Sequence, residues 1–257
     1  MKNLLRSIAT AFAMFSRVPM PRVEWKPENR KDTLACFPLV GLLLGILLAG
    51  WYALAKWLSL DSVLFSLGIF LLPILYTGGI HLDGFCDTVD ALSSRAEPER
   101  KREILKDPHL GAFAVIGVST YLITYFALGT ELVYDDQIIF LLFFVPVLSR
   151  SVAGYVSIAS DAGGAGLLTA MRDAAAERPA KQVLGIWFCL ASLAMLAVSP
   201  LAGLVVVLAA VACGWLVWRM AKRQFGGMSG DLAGFLVQVS ELILLAFLVI
   251  LQKVWWI

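Results

Sequence analysis

Apolar residues run through this chain in long blocks separated by short polar stretches. A helix needs about 20 apolar residues to cross a bilayer, and seven blocks come near that length. They are Leu34 to Lys56, Ser62 to Ile80, Ala112 to Thr130, Gln137 to Ser160, Gln182 to Ser199, Leu201 to Trp218 and Leu232 to Gln252. The fifth and sixth are divided only by Pro200 and its neighbours, the pattern of a tight helical hairpin. Pro108 and Gly111 mark a turn before the third block, and Gly163, Gly164 and Gly166 mark one after the fourth. Upstream, Leu4, Leu5, Ile8, Phe12 and Phe15 recur at helical spacing with Lys2, Arg6 and Arg17 on other sides. That pattern predicts an amphipathic helix lying on a membrane surface. The expected fold is all-α, a polytopic transmembrane helix bundle of seven spans preceded by an amphipathic N-terminal helix. It is read as a single integral membrane domain over residues 1–257, with 1–33 an interfacial arm and 34–257 the bundle.

Composition agrees with this picture. The 257 residues are 60% hydrophobic and 16% charged, with a mean hydropathy of +0.81, whereas soluble domains carry about 25% charged residues. A net charge of +2 gives no footprint for nucleic acid. Cys36, Cys86, Cys189 and Cys213 are scattered without a C-x-x-C pair, so apolar packing is their expected role. The start of the chain imitates a secretory signal, but its apolar core is too short for one, and it is read as mature protein. No repeat of fixed period is visible.

The basic residues set the expected orientation. Arg17, Arg22, Lys26, Arg30 and Lys31 lie in the N-terminal arm, and Arg95, Arg100, Lys101, Arg102 and Lys106 follow the second span. Arg172, Arg178 and Lys181 follow the fourth span, and Arg219, Lys222 and Arg223 follow the sixth. The loop "ELVYDD" after the third span has no Lys or Arg. The expectation is a multi-pass protein of the cytoplasmic (inner) membrane with its N-terminus and active-site loops in the cytoplasm.

Against this apolar background the stretch "GGIHLDGFCDTVDAL" stands out. Asp83, Asp87 and Asp90 are spaced i, i+4, i+7, so on a helix they share one face within about 60°. Carboxylates about 6 Å apart repel by roughly 3 kcal/mol per pair at an effective dielectric near 20. Such a triplet invites a counter-cation, and an all-oxygen set with open positions suits Mg²⁺ bound together with a phosphate-bearing substrate. The plainer reading is a solvated helix end whose acids pair with Arg95 or Lys101. A second feature, "FGGMSGDLAGF", sets Gly226, Gly227 and Gly230 ahead of Asp231. Glycines before a helix let backbone N–H groups approach a phosphate, while Asp231 alone also reads as an N-cap. Arg150, inside the fourth span, is by position a site candidate with a carboxylate or phosphate as partner. Glu241, inside the seventh, is either protonated or paired with Arg150.

These residues carry a resemblance. "HLDGFCDTVDAL" resembles the H-L-D-G-x-x-D-T-x-D-G signature of the cobalamin synthase family, the adenosylcobinamide-GDP ribazoletransferases. "FSRVPMP", "FPLVGLLLG", "LKDPHLG", "LSRS" and "FGGMSGDLAG" follow the family pattern in order, so the resemblance covers essentially the whole chain. Ala91 stands where the family has Gly, and "GGMSGD" where it has "GGQTGD"; neither swap removes an acidic residue. The resemblance implies transfer of GDP-activated cobinamide to α-ribazole or its 5′-phosphate, with release of GMP and a requirement for Mg²⁺. By carry-over Asp83, Asp87 and Asp90 hold the metal. One of them or His81 takes the proton from the attacking hydroxyl. Arg150, Gly226, Gly227, Gly230 and Asp231 are candidate phosphate contacts, and the matched blocks add Arg17, Lys106 and Asp107 as substrate-binding candidates.

Two other classes were weighed. CDP-alcohol phosphotransferases use D-G-x-x-A-R, but Asp83-Gly84 is followed by Phe85 and Cys86 without Ala-Arg. A cation transporter would place its acids near the bilayer midplane between inverted repeats, and none are seen. The expected partners are the two substrates and the lipid bilayer, with no nucleic acid. A homo-oligomer, or docking of enzymes of the same pathway on the basic loops, stays open. Gly41 and Gly45 have the small-xxx-small spacing that permits close helix packing.

Overall fold

The computed structural model describes residues 2–21, 24, 26, 32–133, 135–164 and 166–255, without the side chains of residues 2, 3 and 255. Arg22, Arg30, Lys31 and Tyr134 from the stretches above lie outside the described residues. Among the described residues the chain forms helices α1 (Lys2–Phe15), α2 (Phe37–Trp57), α3 (Ser62–Thr77), α4 (Ile80–Ser93), α5 (Pro98–Ile104), α6 (Ala112–Thr130), α7 (Asp136–Ala159), α8 (Leu167–Ala174), α9 (Glu177–Val198), α10 (Pro200–Phe225) and α11 (Gly230–Trp255).

Six of these helices, α2, α6, α7, α9, α10 and α11, are long and apolar enough to cross a membrane. The second predicted span differs from expectation. It ends at Thr77, and Gly78 and Gly79 both adopt left-handed φ values of 66° and 80°. Two successive residues in that region cannot continue a right-handed helix, and glycine tolerates them because it has no Cβ. The chain turns by 92° and starts again as α4. The 16 residues of α3 reach only about 24 Å, and α4 runs across the direction of α3 and is not among the six helices above. Two short helices, α5 and α8, were not foreseen; Pro98 sits at the first turn of α5, where its missing N–H costs nothing.

Crossings consecutive along the chain run antiparallel, and α7 packs against α2, α9, α10 and α11. The contact of α2 with α7 is closest. A methyl group on Gly41 would overlap the Pro146 carbonyl, and one on Gly45 the Phe143 carbonyl. The small-xxx-small pair of α2 is thus occupied inside the bundle, bringing backbones together where lipid supplies no hydrophobic drive. The α9–α10 hairpin closes as tightly, since a methyl on Gly203 would lie 2.7 Å from the Met195 carbonyl carbon. Exposed Ile46, Leu54, Ile123, Leu193, Leu208 and Ile250 give the bundle an apolar outer surface.

The two ends of the bundle differ in charge. At the far end the described basic residues are Lys56, paired with Asp136 at 3.0 Å, and Lys253, paired with Glu131. The other end gathers Arg17, Arg95, Arg100, Lys101, Arg102, Lys106, Arg172, Arg178, Lys181, Arg219, Lys222 and Arg223. That basic end also holds the α3–α4 corner, α5, α8 and the first turn of α11.

Candidate active site

At the basic end, α4 lies against the first turn of α11 because Gly84 has no side chain. A methyl there would sit 2.7 Å from both the Cα and the carbonyl oxygen of Asp231. A methyl on Gly234, one turn along α11, would lie 3.1 Å from the His81 carbonyl oxygen. Backbone therefore meets backbone along this seam, and Asp83 and Asp87 of α4 come within electrostatic reach of Asp231. Asp90, further along α4, packs its carboxylate against Gly111 at the entrance to α6, where any side chain would overlap it. The i, i+4, i+7 acids do share one helix, and Asp231 joins them from another.

None of these four carboxylates forms an ion pair among the described residues. Lys101, one partner considered for them, is buried with its Nζ on the Gln224 Oε1, and Arg95 is exposed. The pKa of Asp87 is raised to about 6 by burial first, then by the charges of Asp83, Asp231 and Asp90. The cluster is uncompensated negative charge made entirely of hard oxygen donors, which suits Mg²⁺. Among the described residues no three His, Cys, Asp or Glu side chains already converge to hold an ion. Mg²⁺ commonly takes only one or two protein carboxylates and completes its shell with water and substrate phosphate, so a preformed cage is not required for fit.

Beside the acids opens a cavity of about 280 Å³ lined by Asp83, Asp231, Ser229 and Gly230 on its acidic flank. Arg102 and Lys106 line it from the basic loop, and its apolar floor is formed by Met14 and Phe15 of α1, Phe37 of α2 and Leu168 and Met171 of α8. His81 lines it too; it is 3% exposed and its Nδ1 has no hydrogen-bond partner. Burial, then the Arg150 charge, lowers the His81 pKa to about 3, so the imidazole is neutral. The loop after α7 and the loop before α11 are stitched together beside the cavity. The Gly163 N–H donates to the Met228 carbonyl at 2.9 Å, and the Met228 N–H to the Asp161 carbonyl at 2.9 Å.

The remaining candidates fall in different places. Gly230 lines the cavity, whereas Gly226 is the left-handed cap of α10 and Gly227 packs against the Asp161–Gly163 backbone. Lys106 reaches the cavity, but Asp107 accepts from the His109 N–H at 3.0 Å and contacts the His109 ring at 2.6 Å. Those contacts hold its carboxyl below the usual range. Arg17 is exposed and packs on Gly78 at the α3–α4 corner. Arg150, expected at a phosphate, is instead 1% exposed and absent from the cavity wall. Its Nη1 donates to Glu241, to the Ser149 hydroxyl at 3.1 Å and to the Pro146 carbonyl at 3.2 Å. Of the two readings of Glu241, the paired one is found. Sequence reasoning missed Phe15, Phe37, Thr169 and Arg102 as cavity residues. Phe15 read as part of a lipid-facing stripe and Arg102 as one loop charge among several.

The cobalamin-5-phosphate synthase family matches residues 7–249 of the chain. The chain is similar to an adenosylcobinamide-GDP ribazoletransferase of Lachnoclostridium phytofermentans, 35% identical over 260 residues that cover 98% of this chain and 99% of that one. A protein of that name from Geobacillus kaustophilus is 35% identical over 95% of each chain. Another, from Clostridium botulinum (strain Alaska E43), is 32% identical over 95% of this chain and 96% of its own. No solved structure matches.

Proposed function

The chain belongs to the cobalamin-5-phosphate synthase family, and from that premise we propose that its site joins adenosylcobinamide-GDP to α-ribazole or its 5′-phosphate and releases GMP. The observation that carries this reading is the grouping of Asp83, Asp87, Asp90 and Asp231 without an ion-pair partner, beside a cavity at the basic end of a membrane bundle. In the reaction a ribose hydroxyl of the acceptor attacks the cobinamide-side phosphorus of the diphosphate. The bond from that phosphorus to the bridging oxygen breaks, and GMP leaves with that oxygen. Such transfers demand positioning and neutralisation of charge more than covalent help from the protein.

Asp83, Asp87 and Asp90, with Asp231 beside them, are the residues that would hold Mg²⁺, which supplies charge neutralisation on the diphosphate and the departing GMP. The proton of the attacking hydroxyl passes to a carboxylate of the cluster or to the neutral His81 imidazole at the cavity wall. Ser229 and Gly230 at the start of α11, with Arg102 and Lys106 across the cavity, offer the polar contacts for phosphate oxygens. The crowd of Lys and Arg at this end supports a cytoplasmic orientation, with the N-terminus and the site on the inner face of the cytoplasmic membrane.

The test is turnover by the purified protein in nanodiscs, given adenosylcobinamide-GDP and α-ribazole 5′-phosphate, with Mg²⁺ or with excess chelator. GMP release that requires both the acceptor and Mg²⁺ is the expected result. Release without the acceptor, or none from folded protein, refutes the transferase; release that survives chelation refutes the metal.

A further inference from the structure

The cavity beside the aspartates has the size and the lining for one nucleoside-sized molecule. Pockets for drug-sized ligands run from about 300 to 1,000 Å³, and about 280 Å³ accommodates a nucleoside-sized molecule. Its floor is aromatic. Phe15 and Phe37 have ring centroids 4.4 Å apart, and His81 stacks on Phe37 at 5.5 Å with 29° between the planes. Phe37 is 4% exposed, covered by the Phe15 and His81 rings and by the Arg150 guanidinium 5.8 Å away, so the half-buried Phe15 is the ring left open to the cavity. That guanidinium is fixed by Glu241 and the Pro146 carbonyl, so the Phe37 ring is pre-organised rather than free to swing. His81 brings to the same wall a nearly fully buried ring nitrogen with no partner.

We infer that this cavity is the acceptor subsite: it takes the planar aromatic base of the ribazole nucleoside against Phe15, which is braced by the buried Phe37 and His81, with the ribose directed to Asp83 and Asp231 at the cavity's acidic flank. The bulky donor then approaches from outside and presents only its diphosphate to the acids. This rests on the transferase reading for the identity of the acceptor, but the aromatic-nucleoside chemistry of the cavity is separable from it.

The experiment is equilibrium binding to the full-length protein in nanodiscs, with α-ribazole and adenosylcobinamide-GDP titrated separately into wild type, Phe15→Leu and Thr169→Phe. Phe15→Leu keeps an apolar residue and removes the stacking face. Thr169→Phe adds bulk from α8, on a half-buried position of the cavity wall. Loss of base stacking weakens α-ribazole by roughly tenfold, and the filled cavity weakens it at least as much, while the donor changes less than twofold. Parallel loss of donor and acceptor affinity in both variants would overturn the assignment, as would acceptor binding that neither variant alters or that wild type lacks. Selective α-ribazole binding by a wild type that releases no GMP would sink the reaction and leave the subsite standing.

Discussion

Gly84 is the position at which the geometry of the site is most exposed to a single methyl group. In Gly84→Ala the new Cβ lies 2.7 Å from the Asp231 Cα and carbonyl oxygen, about 0.7 Å inside the 3.4 Å at which ordinary contact begins. Both obstructing atoms are backbone, so no rotamer change relieves them. The first turn of α11 has to retreat from α4 and carries Asp231 away from Asp83 and Asp87. Overpacking of this kind costs about 1–3 kcal/mol, too little to unfold a bundle held elsewhere by α7. Displacing reacting groups by about 1 Å costs on the order of 100-fold in rate. The expected outcome is therefore a membrane-inserted, cooperatively unfolding protein whose GMP release falls about 100-fold. Gly185→Ala is the control, because a methyl there meets nothing within 4 Å. In a helix interior it should stabilise by about 0.5–1 kcal/mol and leave turnover unchanged. Full activity in Gly84→Ala would refute the view that the α4–α11 seam sets the spacing of the acids.

The acids themselves give the next prediction. Asp87→Asn should abolish turnover and yet raise thermal stability in chelator by on the order of 1 kcal/mol, after discounting for its partial exposure. Because the folded pKa lies near 6 against an ordinary 3.8, the folded state binds that proton more tightly than the unfolded chain. Metal-free wild type should thus gain stability as pH falls from 7 through 6 toward 4, and Asp87→Asn should lose that slope. An Asp87→Asn melting profile with the wild-type slope would show that the charge crowding is absent. Mg²⁺ at pH 7 should raise the unfolding temperature of wild type and leave Asp83→Asn unmoved; equal shifts in both would exclude Asp83 as a ligand. Arg150→Ala strands the Glu241 carboxylate at 3% exposure and should cost about 3–5 kcal/mol, whereas Arg150→Met with Glu241→Leu should recover most of that loss. Measurement is by thermal unfolding in one detergent, and a double variant no better than Arg150→Ala would contradict the pairing.

Much of the architecture was legible because a bilayer leaves few alternatives: apolar length predicted the crossings, and Pro200 predicted the α9–α10 turn. What failed was the end of the second span. Ile80 continues the apolar run, and only the adjacent glycines signal the corner, since hydropathy is blind to φ. The cavity was invisible for a different reason. Its wall draws on α1, α2, α4, α8 and the α5 and α11 flanks, and no local period in the chain records which distant elements converge.

The charged residues divide by how their compensation is supplied. Arg150 and Glu241 were each legible as groups that a membrane span does not carry without a partner. Their pairing across 91 residues was one of two readings until the helices were placed, and the structure pairs the two charges within the chain. Asp83, Asp87, Asp90 and Asp231 show the opposite case. They sit where a dozen Lys and Arg residues crowd the same end of the bundle, yet none of those cations is paired with them, and Lys101 turns inward to Gln224. A fold that pairs one buried Arg and Glu has left four neighbouring carboxylates without an ion-pair partner, two of them, Asp83 and Asp231, on the cavity wall. Their counter-charge is best supplied from outside, by a divalent ion arriving with a diphosphate. The Mg²⁺ titration against Asp83→Asn measures that difference directly.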